Sequence, residues 1–395
     1  MKAYISVLLS LVILPGFAQI NPAPPVRPLP HPWPMKYANA QRTGQSLYPG
    51  PILGKVSWKV PLANWAPGIA VSRNGNVILG DCWNDAPWSG EDYVIVLTKE
   101  GELAWRVKIP SFPWGAGQGV RSTAALDSAG NVYISGSNGI LHKFDPFGNK
   151  IWEYYFSGGS GVSNDASPAV CPDETIRGFH FFEGLYGLNP DKTLIFNGGP
   201  GSGTPAVAPN YDMCTGTPRS NEPHTFPAVI YANANGTLRW IYYTLYGGGS
   251  TPVFGNDGTV YVGVDTLGTY AFNPNGTVKW QQTWGSWTQA PALGKNGQLY
   301  KPSGGSIRAF NPENGATLWT ANIGGTILDG LALDSRDWIY ATNSNGEVAA
   351  LKPNGQIVWK VKVCDEFVTS PAIGLYGTLY ACGKVGFDYF VYCIR

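Results

Sequence analysis

The sequence predicts an all-β fold, a β-propeller of eight four-stranded antiparallel blades. A Gly-containing turn followed by an aromatic residue recurs at intervals of 39 to 47 residues from about residue 54 onward. Each interval contains short segments of apolar and β-branched residues separated by Gly, Asn or Pro turns, which is typical of antiparallel strands. No stretch shows a helical period, and four strands in such an interval is the pattern of a propeller blade.

One aromatic residue ends the fourth segment of each repeat. Gly in the preceding turn permits a positive φ angle, and the aromatic ring can stack over the turn of the neighbouring blade. We therefore expect these residues to dock blades and to take no part in catalysis. They are Trp58, Trp105, Trp152, Phe196, Trp240, Trp280, Trp319 and Trp359.

The two ends of the repeat region complete the eighth blade. Three strands follow Trp359, whereas residues 52–60 supply one orphan fourth strand before the first full repeat. Pairing them closes the ring and removes sheet edges that would otherwise promote aggregation. The propeller is therefore predicted over residues 51–395, with insertions in the first and fourth blades at 81–92 and 211–226.

The residues before the repeats are interpreted as two segments. Residues 1–18 combine Lys2, a short apolar stretch and small residues before Ala18, which predicts a secretory signal peptide and a secreted, periplasmic or cell-surface protein. Residues 19–50 are a Pro-rich arm and lead-in, and the seven Pro residues within 20–34 favour polyproline II in that stretch. The arm is interpreted as a spacer or strap along the domain. The alternative is a docking segment for a partner or a neighbouring copy.

Charge and hydropathy argue against a nucleic-acid partner and against a transmembrane segment. The 27 Lys and Arg residues nearly balance the 26 Asp and Glu residues, so the net charge is +1. A nucleic-acid partner would require a basic face, and none is expected here. No segment after the signal peptide is apolar enough to predict a transmembrane span.

The six cysteines favour disulfides over a metal site. None forms a Cys-x-x-Cys pair or lies beside a His at zinc spacing, so no thiolate metal site is expected. Cys171 and Cys214 follow the first strands of adjacent blades, and we predict that they pair. Cys82, Cys364 and Cys382 map to the opposite end of the ring, where a Cys364–Cys382 pair is predicted.

The repeats resemble the quinoprotein-like (PQQ-like) propeller repeat family. Residues 309–319 match its Ala-x-Asp-x-x-Thr-Gly-x-x-x-Trp motif, with Asn311 in place of Asp and Asn314 in place of Thr. Residues 33–46 resemble the Trp-Pro-Met lead-in of secreted members, with Arg42 in place of a His. The resemblance implies the propeller fold, but the family contains both enzymes and scaffolds, including scaffolds of outer-membrane assembly.

The resemblance also implies which cofactors to look for. Quinone-dependent dehydrogenases of this fold use a vicinal Cys-Cys disulfide and a calcium ion held by Glu, Asn and Asp, and the sequence shows no matching set. It contains no Cys-x-x-Cys-His haem motif either. We therefore expect no PQQ, haem or metal, and a binding protein rather than an enzyme.

The candidate ligand site lies at one end of the predicted ring. Loops from a fourth strand into the next first strand all fall at this end, which we call the upper face. Trp surrounded by Gly, Asn and acidic residues suits sugar stacking or a protein contact. The alternative is that the Trp side chains fold inward and the acids cap turns. The candidate residues are Trp65, Trp83, Trp88, Trp114, Trp284, Trp287, Asp165 and Asp329.

These observations predict a secreted, non-catalytic binding or scaffold propeller that recognises a protein or glycan on its Trp-rich upper face. The first alternative is a carbohydrate-active lyase or hydrolase that uses acids on the same face. The second is a self-assembling surface subunit in which the Pro-rich arm engages a neighbouring copy.

Overall fold

In the part of the chain that the computed structural model describes, the regular secondary structure consists of short β-strands. The predicted eight-bladed, all-β propeller is confirmed. The described residues are 30–63, 65–81, 92–109, 120, 122–136, 139–156, 166–222, 224–265, 267–286 and 288–395. The predicted signal peptide, residues 1–18, lies outside them, and so does Cys82. Among these residues there is no helix long and apolar enough to cross a membrane.

The strands follow one another in chain order as follows. The first two blades and the strand before them contain β1 (Val56–Leu62), β2 (Ile69–Val71), β3 (Val77–Asp81), β4 (Asp92–Leu97), β5 (Leu103–Ile109), β6 (Ala125–Leu126), β7 (Val132–Ser135), β8 (Ile140–Phe144) and β9 (Lys150–Tyr155). Blades three and four contain β10 (Ala169–Val170), β11 (Ile176–His180), β12 (Gly184–Leu188), β13 (Leu194–Gly199), β14 (Ala206–Val207), β15 (Met213–Gly216), β16 (Phe226–Ala232) and β17 (Leu238–Thr244). Blades five and six contain β18 (Val253–Phe254), β19 (Val260–Val264), β20 (Gly268–Phe272), β21 (Val278–Gln282), β22 (Ala292–Leu293), β23 (Leu299–Ser303), β24 (Ser306–Phe310) and β25 (Thr317–Asn322). The last strands are β26 (Ala332–Leu333), β27 (Ile339–Thr342), β28 (Glu347–Leu351), β29 (Ile357–Lys362), β30 (Glu366–Phe367), β31 (Ala372–Ile373), β32 (Leu379–Val385) and β33 (Asp388–Ile394).

The composite eighth blade forms as predicted. Strand β1 pairs antiparallel with β33, which continues through β32 to β31, and the short β30 also pairs with β32. The backbone of Lys55 exchanges two hydrogen bonds with that of Arg395, at 2.6 and 2.8 Å. The amino-terminal strand of the propeller is thus its outermost strand in this blade, and the ring is closed by hydrogen bonds.

The aromatic residues of the fourth strands lie over the turns of the next blade. The Trp319 indole nitrogen donates to the Pro353 carbonyl at 2.7 Å. A Cβ on Gly355, whose φ is +84°, would lie 2.7 Å from that ring, so only Gly fits beneath it. Equivalent indole-to-carbonyl hydrogen bonds are made by Trp58, Trp105, Trp152, Trp240 and Trp280.

Residues 31–50 take a course that the sequence does not predict, because they run across the middle of the ring. The first strands of neighbouring blades contact one another around the axis. The lead-in forms backbone hydrogen bonds with the first strands of six blades, namely the first, the second and the fourth to the seventh. Its partners are Val71, Leu126, Val207, Phe254, Leu293 and Leu333, bonded to Trp33, Pro34, Ala40, Gln41, Thr43 and Gly44.

Arg42 fixes this lead-in in place. Its side chain is completely buried, and its guanidinium donates to the carbonyls of Pro205 at 2.9 Å and Lys36 at 2.8 Å. It also donates to the carbonyls of Ser167 and Pro168, both at 3.1 Å. Burial lowers the pKa of Arg42 to about 10, which leaves it charged at neutral pH. One side chain thus joins the lead-in to the third and fourth blades.

The predicted Cys171–Cys214 disulfide is wrong, because both residues are free, buried thiols. Successive side chains of a strand point to opposite faces. In β15, Met213 lies in the same apolar cluster as Cys171, whereas Cys214 lies in the next cluster. Burial raises the pKa of Cys171 to about 11, as expected for an inert structural thiol.

The predicted Cys364–Cys382 disulfide is also wrong, because Cys364 is a free thiol whose sulfur donates to the Glu366 carbonyl at 3.3 Å. A Cβ placed on Gly383 would lie 2.6 Å from the Cys364 sulfur. Cys364 therefore faces the side of β32 marked by Gly383. The adjacent Cys382 points to the other side of the strand.

Candidate functional site

Two kinds of connection between strands lie at the upper face. Because each blade is antiparallel, the hairpins between second and third strands lie at the same end as the loops that lead from a fourth strand into the next blade. The turns between first and second strands, and between third and fourth strands, lie at the opposite end, which we call the lower face.

Five of the eight candidate residues lie outside the described part of the chain. These are Trp83, Trp88, Trp114, Trp287 and Asp165. Trp65 and Trp284 are half-buried. The Arg308 guanidinium lies over the Trp284 ring, 4.5 Å from its centroid, and Phe310 packs at its edge. The Trp65 indole nitrogen is buried without a hydrogen-bond partner. Arg308 thus covers one face of Trp284, and the Trp65 ring is partly exposed.

Asp329 lies in a polar cluster with two residues of the lead-in. The Tyr37 hydroxyl donates a hydrogen bond to one Asp329 carboxylate oxygen, and the Lys36 ammonium lies 3.3 Å from the other. Asp329 and Lys36 are partly exposed, whereas Tyr37 is buried. We call these three residues the axial cluster, because the lead-in that carries two of them crosses the ring inside the first strands.

The electrostatics of the axial cluster keep Tyr37 protonated. Burial, followed by the nearby Asp329 charge, holds the pKa of Tyr37 well above its ordinary value. Tyr37 is therefore a hydrogen-bond donor at neutral pH and is unsuited to the role of a lyase base. Tyr37 and Asp329 both have positive φ angles, of 54° and 63°, so their close approach is held against backbone strain.

The sequence pointed to Asp329 but not to its partners. Lys36 and Tyr37 directly follow the Trp-Pro-Met lead-in, and no spacing or periodicity relates them to a residue almost three hundred positions later. The cluster can donate and accept hydrogen bonds to a polar ligand. It offers one partly exposed carboxylate that is already paired, which is less than a two-carboxylate hydrolase requires.

A second feature of the upper face is an open cleft in the third blade. Its volume is about 420 Å³, and its walls are the β11–β12 hairpin and the end of β13. Phe181 and Phe182 in the hairpin are 59% and 54% exposed, and their rings meet edge to face at 5.4 Å between centroids. We call it the blade-three cleft. The sequence does not predict a cleft there.

Comparison with known proteins supports the fold. Residues 303–380 match a PQQ-like repeat family described as outer membrane protein assembly factor BamB. No curated protein sequence matches the chain.

Solved structures of low sequence identity share the fold. Quinohemoprotein alcohol dehydrogenase from Comamonas testosteroni is similar with a TM-score of 0.70 and 12% identity, over 93% of this chain and 81% of that one. A europium-containing methanol dehydrogenase gives 0.69 and 11%, over 92% of this chain and 91% of that one. BamB from Moraxella catarrhalis gives 0.55 and 15%, over 86% of this chain and 97% of that one.

The described residues contain no candidate metal site. None of them form a group of three or more His, Cys, Asp or Glu side chains able to hold a metal ion. The axial cluster supplies one carboxylate, which is bonded to Tyr37 and Lys36, rather than a calcium ligand set. The chain is an eight-bladed β-propeller, and its residues 303–380 match a PQQ-like repeat family.

Proposed function

We propose that the protein is a secreted or periplasmic scaffold that binds a protein partner through its upper face. The observation that carries this proposal is the blade-three cleft, in which two large aromatic side chains stand exposed and in contact with each other. Single exposed apolar residues are common on protein surfaces, whereas a paired, concave aromatic site is typical of a protein contact.

A protein partner is favoured over a glycan. Arg308 covers one side of Trp284 and Trp65 is half-buried, which leaves less of each ring for sugar stacking. The similarity of residues 303–380 to a repeat of an assembly factor supports a scaffold role. The axial cluster gives no support to catalysis, because Tyr37 keeps its proton and Asp329 is already paired.

The test is site-specific photo-crosslinking in the cell envelope of the producing organism. A benzophenone amino acid is placed at Phe182 in the blade-three cleft. The matched control places it at Phe147, which is 80% exposed in the β8–β9 turn on the lower face. We expect a discrete crosslinked partner from position 182 that is absent from position 147.

Each other outcome has a defined meaning. Equal crosslinking at both positions, or none at position 182, would overturn the proposal. A crosslink from position 182 to a second copy of this chain would identify self-assembly as the protein contact. A partner recovered from position 147 alone would move the binding surface to the lower face and contradict the assignment.

A further inference from the structure

The hairpin between the second and third strands of blade three differs from those of blades six and seven. In blades six and seven the corresponding residues are small or polar, Ser-Gly-Gly-Ser at 303–306 and Asn-Ser-Asn-Gly at 343–346. In blade three the sequence is His-Phe-Phe-Glu-Gly at 180–184, with His180 paired to Gly184 across the hairpin. A turn of this kind does not require aromatic residues, so Phe181 and Phe182 are not explained by the fold of the blade.

A bulge in the neighbouring strand opens the space beside this hairpin. Leu185 pairs with Gly199 and Gly187 pairs with Phe196, so β13 carries one residue more than β12 over this stretch. Gly198 within the bulge has a φ of +80°. Bulges re-aim or end strand pairing and are frequent beside functional sites. Here the bulge moves residues 197–201 aside and leaves the blade-three cleft between them and the hairpin.

The hairpin is held by aromatic packing beneath it. His180 is buried and stacks on Phe156 with 4.5 Å between ring centroids. Burial lowers the pKa of His180, which keeps the imidazole neutral at neutral pH. The exposed Phe181 and Phe182 rings therefore project from a packed aromatic base.

The lining of the blade-three cleft combines one aromatic wall, a polar wall formed by residues 197–201, and one negative charge. Phe179, Phe181 and Phe182 supply the apolar wall. Among the described residues that line it, Glu183 is the charged one, and the Asn197 amide donates to its carboxylate at 3.0 Å. An acidic residue beside an apolar wall disfavours an anionic membrane surface and attracts a basic side chain.

We propose that the blade-three cleft binds a proline-rich segment of a partner protein in the polyproline II conformation, with an Arg or Lys of that segment beside Glu183. Such segments dock in aromatic-lined grooves, because their conformation is preformed and little entropy is lost on binding. This inference rests on the proposed function, since it names the kind of partner that the upper face contacts.

Fluorescence anisotropy with a synthetic peptide tests this inference on the full mature protein. The probe is a labelled oligoproline carrying one Arg, and the matched probe carries Glu in place of the Arg. We expect saturable binding of the Arg peptide and affinity for the Glu peptide that is weaker by about tenfold. The absence of saturable binding of the Arg peptide would overturn the inference.

Three variants locate the binding. We expect Phe182→Ser to weaken binding of the Arg peptide by about tenfold or more. Glu183→Gln weakens it by about threefold to fivefold and reduces the preference for Arg over Glu. Phe147→Ser on the lower face leaves affinity unchanged, and an equal loss in this control would place the peptide elsewhere. Thermal unfolding of each variant separates lost binding from lost folding, and Phe181 and Phe182 are exposed enough for substitution to spare the fold.

The crosslinking experiment and the peptide-binding experiment test the two proposals separately. A discrete crosslink from position 182 together with no oligoproline binding would keep the scaffold function and overturn the proline-rich ligand. Oligoproline binding that Phe182→Ser abolishes, with no crosslink in the envelope, would support the ligand chemistry and contradict the assignment of a cellular partner to this face.

Discussion

The centre of the ring and its circumference hold the blades together in different ways. On the circumference, an aromatic residue such as Trp319 covers the turn of the next blade, and the arrangement recurs from blade to blade. At the centre, the Arg42 guanidinium bonds to four carbonyl oxygens of the lead-in and of two blades. The repeated contact joins neighbours, as in other repeat proteins, whereas the central one is made once by a unique segment.

This difference predicts that a central substitution costs more stability than a circumferential one. Arg42→Ala would remove the donor for four carbonyls in a dry site, and each buried polar group left unpaired is costly. We expect the free energy of unfolding to fall by about 3 to 5 kcal/mol. Urea unfolding followed by Trp fluorescence measures this. Arg42→Lys, which keeps the charge but not the planar fork, is the control and should fall in between. A loss no larger than that of Trp319→Ala would break the comparison.

A second buried cationic side chain, Lys301, extends the comparison to the pH dependence of stability. The Lys301 ammonium is fully buried and donates to the Ser286 carbonyl at 2.8 Å and to the Gln289 carbonyl. Burial lowers its pKa to about 7, whereas the pKa in the unfolded chain is the ordinary 10.5. Between these values the unfolded chain binds the additional proton, so stability rises with pH.

The slope from Lys301 is at most about 1.4 kcal/mol per pH unit and is confined to this window. Unfolding experiments at intervals between about pH 7 and about pH 10 measure it. Lys301→Met should remove the slope, whereas Trp319→Phe, which changes no titratable group, should leave it in place. A Lys301→Met variant with the same pH dependence as the wild type would show that Lys301 is not its source.

The smallest expected effect is a difference in stability loss between substitutions of two circumferential residues, Trp319 and Trp359. The Trp319 indole donates to a carbonyl, whereas the Trp359 indole nitrogen is buried without a hydrogen-bond partner and its ring covers Gly54. Trp319→Phe should therefore lose about 1 kcal/mol more than Trp359→Phe. The same urea unfolding experiment measures both. Equal losses would mean that ring packing alone, and not the indole hydrogen bond, sets the strength of the contact.

The candidate site was partly predictable. Asp329 follows from its position before a first strand, because that position maps to the upper face in every blade. Its partners Lys36 and Tyr37 belong to a lead-in whose route across the ring leaves no periodic signal. The two predicted disulfides fail for a related reason. Position within a blade says which end a thiol occupies, but not which apolar cluster its side chain enters.

The sequence by itself determined the repeat, the number of blades and the closure of β1 on β33. These depend on turns, alternation and aromatic residues that act between neighbours in sequence or in adjacent blades, so their spacing is visible along the chain. Only the tertiary structure decided that residues 31–50 cross the ring, that Lys36 meets Asp329, and that a bulge in β13 opens the blade-three cleft. Those features require the ring to close first, because closure brings together residues whose distance in sequence carries no information about their contact.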